Sequence, residues 1–446
     1  MTVKIYRYRK IESALAEIAN GTFYFASREE LNDPIEGYVK LYFQGDQPAW
    51  EGLFKNYVCS LFISIINHIK GLCHNVVLVD INYFKNDPLG QLLENLSKTF
   101  LNGTAVQNLV KLYGNNDVKC SSKELQLILR VVHYIAFKLC TQNLKNSNLF
   151  DLPEEYDDEF PFEAVQAMNR TEWIKFVNSA ENTIADAIEL ATSYAKTRQK
   201  DFPTSDTTSF KNRNQISWDD IRVNFPKIYV EHLKKLIYPD AYIVCFSKTP
   251  KDSAMWGNYA QNHQGICFIY ETQEINGKDY LPVDSKKKEV RRVTYDDDVI
   301  ERNFFNTLGK LNHAQIQAWL SGKDNKVSKL IDTFSKNNIE SWREKYWSDY
   351  IEKFHRKNSA WLHEEEYRIL LYDHLYQYED KKNRCLKYDP LALKGIIFGI
   401  NTSINDKLRF IQKIKQAEND FKHVEFFQAE YNENTQEIFI RKKVFL

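Results

Sequence analysis

The segment from Cys245 to Cys267 constrains the fold more than any other part of this 446-residue chain. An apolar run at 241–246 reads as a strand. It leads into a compact aromatic helix over 252–261, with Asp252 as N-cap, and Gly265 then turns the chain into a second strand. Trp256, Tyr259, Ala260 and His263 fall at helical spacing and form one stripe. So dense a run of Trp, Tyr, His and Gly points to a built site, although a stripe at this spacing is also what a core contact looks like.

Two further anchors have the same character: Asn32-Asp33-Pro34-Ile35-Glu36 near the start and Trp361 to Arg368 near the end. Strand character appears at 3–8 and 22–25, then at 241–246, 265–270, 290–295, 366–372, 393–398, 424–427 and 437–445. The helix between the first two runs spaces Ile11, Leu15 and Ile18 and stops at Asn20-Gly21, a C-terminal cap pair. Ser27 with Glu30 is a capping box. From about 50 to 235 the periodicity is helical, in Leu89, Leu92, Leu93, Leu96 and Phe100, in Leu125, Leu129, Val132, Ala136 and Leu139, and in Trp173, Val177, Ala180, Ile184 and Ile188. The polar stretch at 200–217 reads as a loop. Further helices are expected within 312–355 and over 405–417. The expected class is therefore α+β, a mixed or antiparallel sheet core from 1–45 and 236–446 with a large α-helical insertion over 46–235.

Composition narrows the function. Sixty basic and sixty acidic side chains cancel, so no whole-molecule field favours broad nucleic-acid or membrane association. The cysteines, at Cys59, Cys73, Cys120, Cys140, Cys245, Cys267 and Cys385, form no CxxC pair. A disulfide framework and structural zinc are not expected, and a cytoplasmic setting is. No signal peptide and no spanning segment is read, so no membrane partner is expected. Phosphate-loop, dinucleotide, HExxH and GxSxG signatures are absent from the sequence. The cluster Lys286-Lys287-Lys288 with Arg291-Arg292, balanced by Asp296-Asp297-Asp298, reads as a solvated hairpin end.

Candidate chemistry sits on the anchors. Strand alternation through Glu366 places Leu362, Glu364, Glu366, Arg368 and Leu370 on one face. Two carboxylates beside an arginine in a cleft would repel and shift their proton affinities, whereas on an open sheet they would be a solvated charge ladder. Asn32 and Asp33 suit a turn before Pro34, and Asp33 and Glu36 offer carboxylates. Arg7, between Tyr6 and Tyr8, faces away from both and is a candidate phosphate ligand. Tyr259 and His263 lie beside the glycine turn, where their polar tips could reach a cleft.

The three anchors together resemble the bacterial family catalogued as domain of unknown function 2971. The matching residues are Tyr24-Phe25 through Asn32-Asp33-Pro34 and Glu36, then Cys245 to Cys267, Val293 and Tyr295. Lys357, Trp361, Glu364, Glu366, Tyr367 and Arg368 follow, and Ile396 and Gly399 close the pattern. The resemblance covers roughly 1–45 and 240–400, and it implies a setting in bacterial conflict or antiphage defence. A more distant resemblance is to the ADP-ribosyltransferase fold of the arginine–serine–glutamate type, with Arg7, Ser247 and Glu364-x-Glu366 in order; Ser247 is followed by Lys248-Thr249 rather than by that family's Ser-Thr-Ser strand. This implies NAD as cofactor. Arg7 would hold a phosphate, Ser247 would orient the ligand, and Tyr259 or Trp256 would stack nicotinamide. Glu366, assisted by Glu364, would stabilise the ribosyl cation.

Three functions are carried forward. The first is a nucleotide-binding effector that transfers ADP-ribose from NAD to a protein or nucleic-acid acceptor, or cleaves NAD. The second is a metal-dependent nuclease or hydrolase using Asp33, Glu36, His263 and Glu364. The third is a non-catalytic sensor of a ligand or phage protein.

Overall fold

The computed structural model of the chain describes residues 2–72, 88–147, 216–218, 220–373, 376–416 and 421–443. Two compact units are present: Met1–Val39 with Pro239–Ile300 and Ser348–Leu446, and Lys40–Tyr238 with Glu301–Trp347. The helical spacing at Trp173 to Ile188 and most of the loop read at 200–217 lie outside the described residues.

The first unit is α+β. Its ten-stranded sheet comprises β1 (Lys4–Arg9), β2 (Asp240–Ser247), β3 (Ile266–Glu271), β4 (Gln273–Ile275), β5 (Lys278–Val283), β6 (Lys286–Arg292), β7 (Glu366–Asp373), β8 (Leu393–Phe398), β9 (Glu425–Asn432) and β10 (Glu437–Lys443). They lie in the order β10-β9-β8-β3-β1-β2-β7-β6-β5-β4. Only β8 and β9 pair in parallel, so the sheet is mixed. Strand alternation divides the side chains between two cores. Ile5, Phe246, Phe268, Ile369 and Ile396 pack with helix α1 (Ile11–Asn20) and helix α3 (Ile404–Gln416) through Ile11, Ala14, Ile18, Phe410 and Ile414. Tyr8, Cys267, Ile269 and Ile397 pack on the other face with Met255 and Trp256 of helix α2 (Ser253–Tyr259). Gly21 ends α1 at φ 59°, the left-handed cap that Asn20-Gly21 predicts.

One seam in this sheet is incomplete. β1 and β2 are neighbours, yet they pair only at Tyr6 opposite Ser247. Farther back along β2, Ile243 exchanges both backbone hydrogen bonds with Ala26 at 2.8 Å. The carbonyl of Cys245, between these points, accepts instead from the Arg7 guanidinium at 2.9 Å. Buried main-chain groups need partners, so a side chain substitutes where the ladder parts. The strand expected over 290–295 also divides. β6 stops at Arg292, while Thr294–Tyr295 pairs in parallel with Arg356–Lys357. The lysines at 286–288 follow the Asp284-Ser285 turn and belong to β6, and Asp296 pairs with Arg356 rather than balancing them.

The second unit is mainly helical, with helices Gln47–Ile69, Pro88–Asn102, Thr104–Tyr113, Ser122–Asn146 and Phe225–Lys234. Leu93, Leu96, Phe100, Leu125, Leu129, Val132 and Ala136 are buried, as their spacing predicts. A single insertion at 46–235 needs correction, because residues 40–45 and 301–347 also belong here. Glu301–Asn303 pairs in parallel with the strand Lys40–Phe43. Gly52 lets Gln47–Ile69 approach the Trp319 carbonyl so closely that a Cβ would lie 2.0 Å from it. No helix among the described residues is long and apolar enough to cross a membrane.

A buried polar network ties these helices together through His133. Its Nε2 lies 3.1 and 3.0 Å from the carbonyls of Ile221 and Arg222, and its Nδ1 lies 2.7 Å from the Tyr57 hydroxyl. Carbonyls only accept, so Nε2 carries the proton and Nδ1 accepts from Tyr57. Burial pushes the imidazole down to about 4. The folded state therefore favours neutral His133: its contribution is complete above the ordinary 6.5 and is lost as pH falls toward 4. Urea midpoints should fall across this window by the equivalent of about 3 kcal/mol, and His133→Gln should flatten that dependence.

Candidate functional site

The parted seam opens into a cleft of about 310 Å³ in the first unit. Tyr6, Tyr8, Tyr24 and Tyr259 line it, with Arg7, Arg9, Asn32, Cys245 and Ser247, and one part of its wall is Glu36, Lys357, Glu364 and Glu366. Local geometry brings these residues together. Ser247 stands opposite Tyr6 on one side and Glu366 on the other, so these three side chains share a sheet face. Glu364 is not on β7 at all. It ends the short helix Ser359–Glu364, and Glu365 then adopts a left-handed conformation (φ 41°, ψ 53°) that returns the chain to the strand. That turn, rather than strand alternation, sets Glu364 beside Glu366.

Three carboxylates, Glu36, Glu364 and Glu366, are gathered around two cations, Lys357 and Arg368, and all five residues are buried. Lys357 Nζ lies 2.5 Å from Glu364 Oε2, 3.3 Å from Glu366 Oε2 and 3.6 Å from Glu36 Oε2, and 4.9 Å from the Trp361 ring centroid. Arg368 grips Glu366 with two hydrogen bonds, Nε to Oε1 at 2.8 Å and Nη2 to Oε2 at 2.7 Å, and donates Nη1 to the Phe354 carbonyl at 2.6 Å. Its Nη2 also contacts Glu36. Burial opposes charge on Glu366, yet Arg368 and Lys357 overcome it and hold the carboxyl down at about 2. Burial likewise disfavours the Lys357 ammonium, but Glu366, Glu36 and Glu364 outweigh it and raise its pKa.

The excess negative charge is borne unevenly. Glu36 lies within ion-pair reach of both cations, but neither of its oxygens accepts an aligned hydrogen bond. Burial, more than Glu366 and Asp33, raises its proton affinity against the pull of Arg368 and Lys357. Of Glu36 and Glu366, Glu36 takes up a proton the more readily. Glu366 contributes stability above its ordinary 4.5 and loses it as pH falls toward 2.

Tyr259 links this cluster to the open cleft. Its hydroxyl donates to Glu364 Oε1 at 2.6 Å and receives Asn32 Nδ2 at 2.5 Å. Burial and the Glu364 charge both raise its pKa, so it stays a phenol and a donor. Asn32 thus reaches the cleft, whereas Asp33 does not line it: Asp33 is buried and its Oδ1 accepts the Ile35 amide at 3.0 Å, closing the turn. Ser247 lines the cleft, with its hydroxyl 3.1 Å from the Thr249 carbonyl and 3.2 Å from the Thr249 amide. Cys245 is half-buried beside Glu366, and burial first, then that carboxylate, pushes its thiol well up.

Several sequence expectations are corrected. Trp256 offers a ligand no stacking surface: it is fully buried, its ring meets Tyr8 edge-on at 5.1 Å, and its Nε1 donates to the Pro250 carbonyl at 2.8 Å. His263 does not line the cleft, because α2 ends at Tyr259 and Gln261, Asn262 and His263 turn through φ 52°, 52° and 65°. Its ring stacks on Trp256 instead, centroids 6.4 Å apart. Arg7 projects with Ile5 toward α1, where its Nε meets Glu17 Oε2 at 3.2 Å, and its guanidinium is committed. Arg368 anchors Glu366 from beneath and is fully buried. The set Asp33, Glu36, His263 and Glu364 is not assembled, and no group of three or more His, Cys, Asp or Glu among the described residues could hold a metal ion. Lys357 was legible only as a motif position, and its role needed the fold.

The site thus combines a mixed sheet with one parted seam and a buried carboxylate–cation cluster at the opening. Residues 255–369, from α2 to β7, match the model of the family described as a protein of unknown function (DUF2971), the family that the anchor motifs resemble. The matched stretch contains Tyr259, Lys357, Glu364, Glu366 and Arg368. No curated protein and no solved structure matches the chain.

Removing one charge from a buried cluster leaves the others uncompensated. Lys357→Met should destabilise the protein by about 3–5 kcal/mol in chemical denaturation. Adding Glu36→Gln to that variant should recover part of the loss, because it removes one of the carboxylates left without a counter-charge.

Proposed function

We propose that the cleft binds a nucleotide-like ligand, NAD in the preferred reading, and cleaves or transfers at its N-glycosidic bond. One observation carries this reading: a tyrosine-lined cleft meets three buried carboxylates held by only two cations. Fixed negative charge kept from water favours a reaction in which positive charge develops beside it. In N-glycosidic cleavage the bonding pair leaves with nicotinamide and the ribose carbon becomes cationic. Water or an acceptor oxygen then bonds to that carbon and gives up its proton.

The geometry supports a division of labour different from the sequence expectation. Glu364, bonded to Tyr259 in the cleft, is the better candidate to face the ribosyl cation. Glu366, gripped by Arg368 and Lys357, is better suited to positioning. Transfer to a protein or nucleic-acid acceptor, and a place in antiphage defence, are further parts of the same proposal.

Purified protein should release nicotinamide from NAD, measured by chromatography. Glu364→Gln should lower that rate at least about 100-fold, the scale of losing one electrostatic stabiliser. Absence of both NAD binding and nicotinamide release in the parent protein would end the reading. A second reading, a non-catalytic sensor, is favoured by the engagement of every carboxylate in the cluster with Lys357 or Arg368. It expects ligand binding without release and no change of phenotype in Glu364→Gln.

A further inference from the structure

On the α1 side of the cleft the charge balance reverses. Arg7 and Arg9, two apart on β1, share a single carboxylate: Glu17 Oε2 lies 3.2 Å from Arg7 Nε and 3.1 Å from Arg9 Nε. Glu17 is their only carboxylate among the described residues, and its Oε1 accepts the Tyr270 hydroxyl at 2.9 Å. Arg7 is hydrogen-bonded, by Nε to Glu17 and by Nη1 to the Cys245 carbonyl, between the rings of Phe23 and Phe246. Arg9 Nε, by contrast, is buried near Glu17 but misaligned for a hydrogen bond, and the side chain keeps 27% exposure. Burial and the neighbouring Arg7 charge both weaken its hold on its proton. Both arginines line the cleft.

Two guanidiniums against one carboxylate leave a positive charge partly out of water, a state that an anion relieves. We infer that Arg9, backed by the Arg7–Glu17 pair, forms an anion subsite for the phosphate or pyrophosphate of the ligand in this cleft. The inference rests on the nucleotide-like reading above, and it moves phosphate recognition from Arg7 to Arg9. It also makes the cleft bipolar, with its cationic part at Arg9 and its anionic part at Glu364. A planar fork of free N–H groups suits phosphate oxygens better than a point charge does.

Inorganic pyrophosphate separates this subsite from any glycosidic chemistry. Calorimetry should show it binding the whole protein, and Arg9→Ala should weaken that binding about 10- to 100-fold, the scale of one charge-assisted contact. Arg9→Lys should retain part of it. Glu17→Gln keeps the shape and frees the second guanidinium, so it should tighten binding, an effect that a merely structural role for Glu17 would not produce. Thermal melts of each variant establish that it is folded. Absence of pyrophosphate binding, an unchanged affinity in folded Arg9→Ala, or no tightening in folded Glu17→Gln would overturn the inference. Failure of nicotinamide release alongside these expected results would overturn only the glycosidic reading.

Discussion

Lys357 and Arg368 hold Glu36, Glu364 and Glu366 together away from water, and the arrangement around the cleft follows from that confinement. Carboxylates this close repel unless cations stand between them, and buried cations are tolerated only if they are paired. The cluster draws together the turn after Asn32-Asp33-Pro34, the bridge at Arg356–Lys357, the left-handed Glu365 turn and the start of β7. Loss of either cation leaves buried carboxylates short of a counter-charge.

The parted seam opens the sheet beside that cluster. A continuous β1–β2 ladder would seal the sheet at this point. Pairing instead holds at Tyr6–Ser247 and again at Ala26–Ile243, with the Arg7 guanidinium spanning the interval by taking the Cys245 carbonyl. Residues of both sheet faces therefore line one cleft: Tyr6, Tyr8 and Ser247 from one, Arg7 and Arg9 from the other.

How much of this was legible depended on whether the signal was local. The Gly21 cap, the Asp252 cap and the buried stripes at 93–100 and 125–136 all arise from interactions within a few residues, and each stands where the pattern puts it. The β4–β5 hairpin was missed: it is not among the expected strands, and the local signal that could have found it is its Asn276-Gly277 turn, with φ 51° and 76°. Trp256 and His263 misled for one reason: a stripe at helical spacing does not say which contact it faces, and the helix stops before His263.

By itself the sequence determined the α+β class, the chain-end origin of the sheet and the helical character of the insertion's described residues. These are consequences of periodicity, capping and turn chemistry, which a chain encodes in its nearest neighbours. Only the tertiary structure decided that Arg7 is spent on Glu17 while Arg9 keeps a freer guanidinium, that Lys357 stands among three carboxylates, and that 301–347 joins the helical unit. Each of these turns on which distant group arrives opposite a side chain, and the free energy of a buried charge depends on that partner more than on the residue itself.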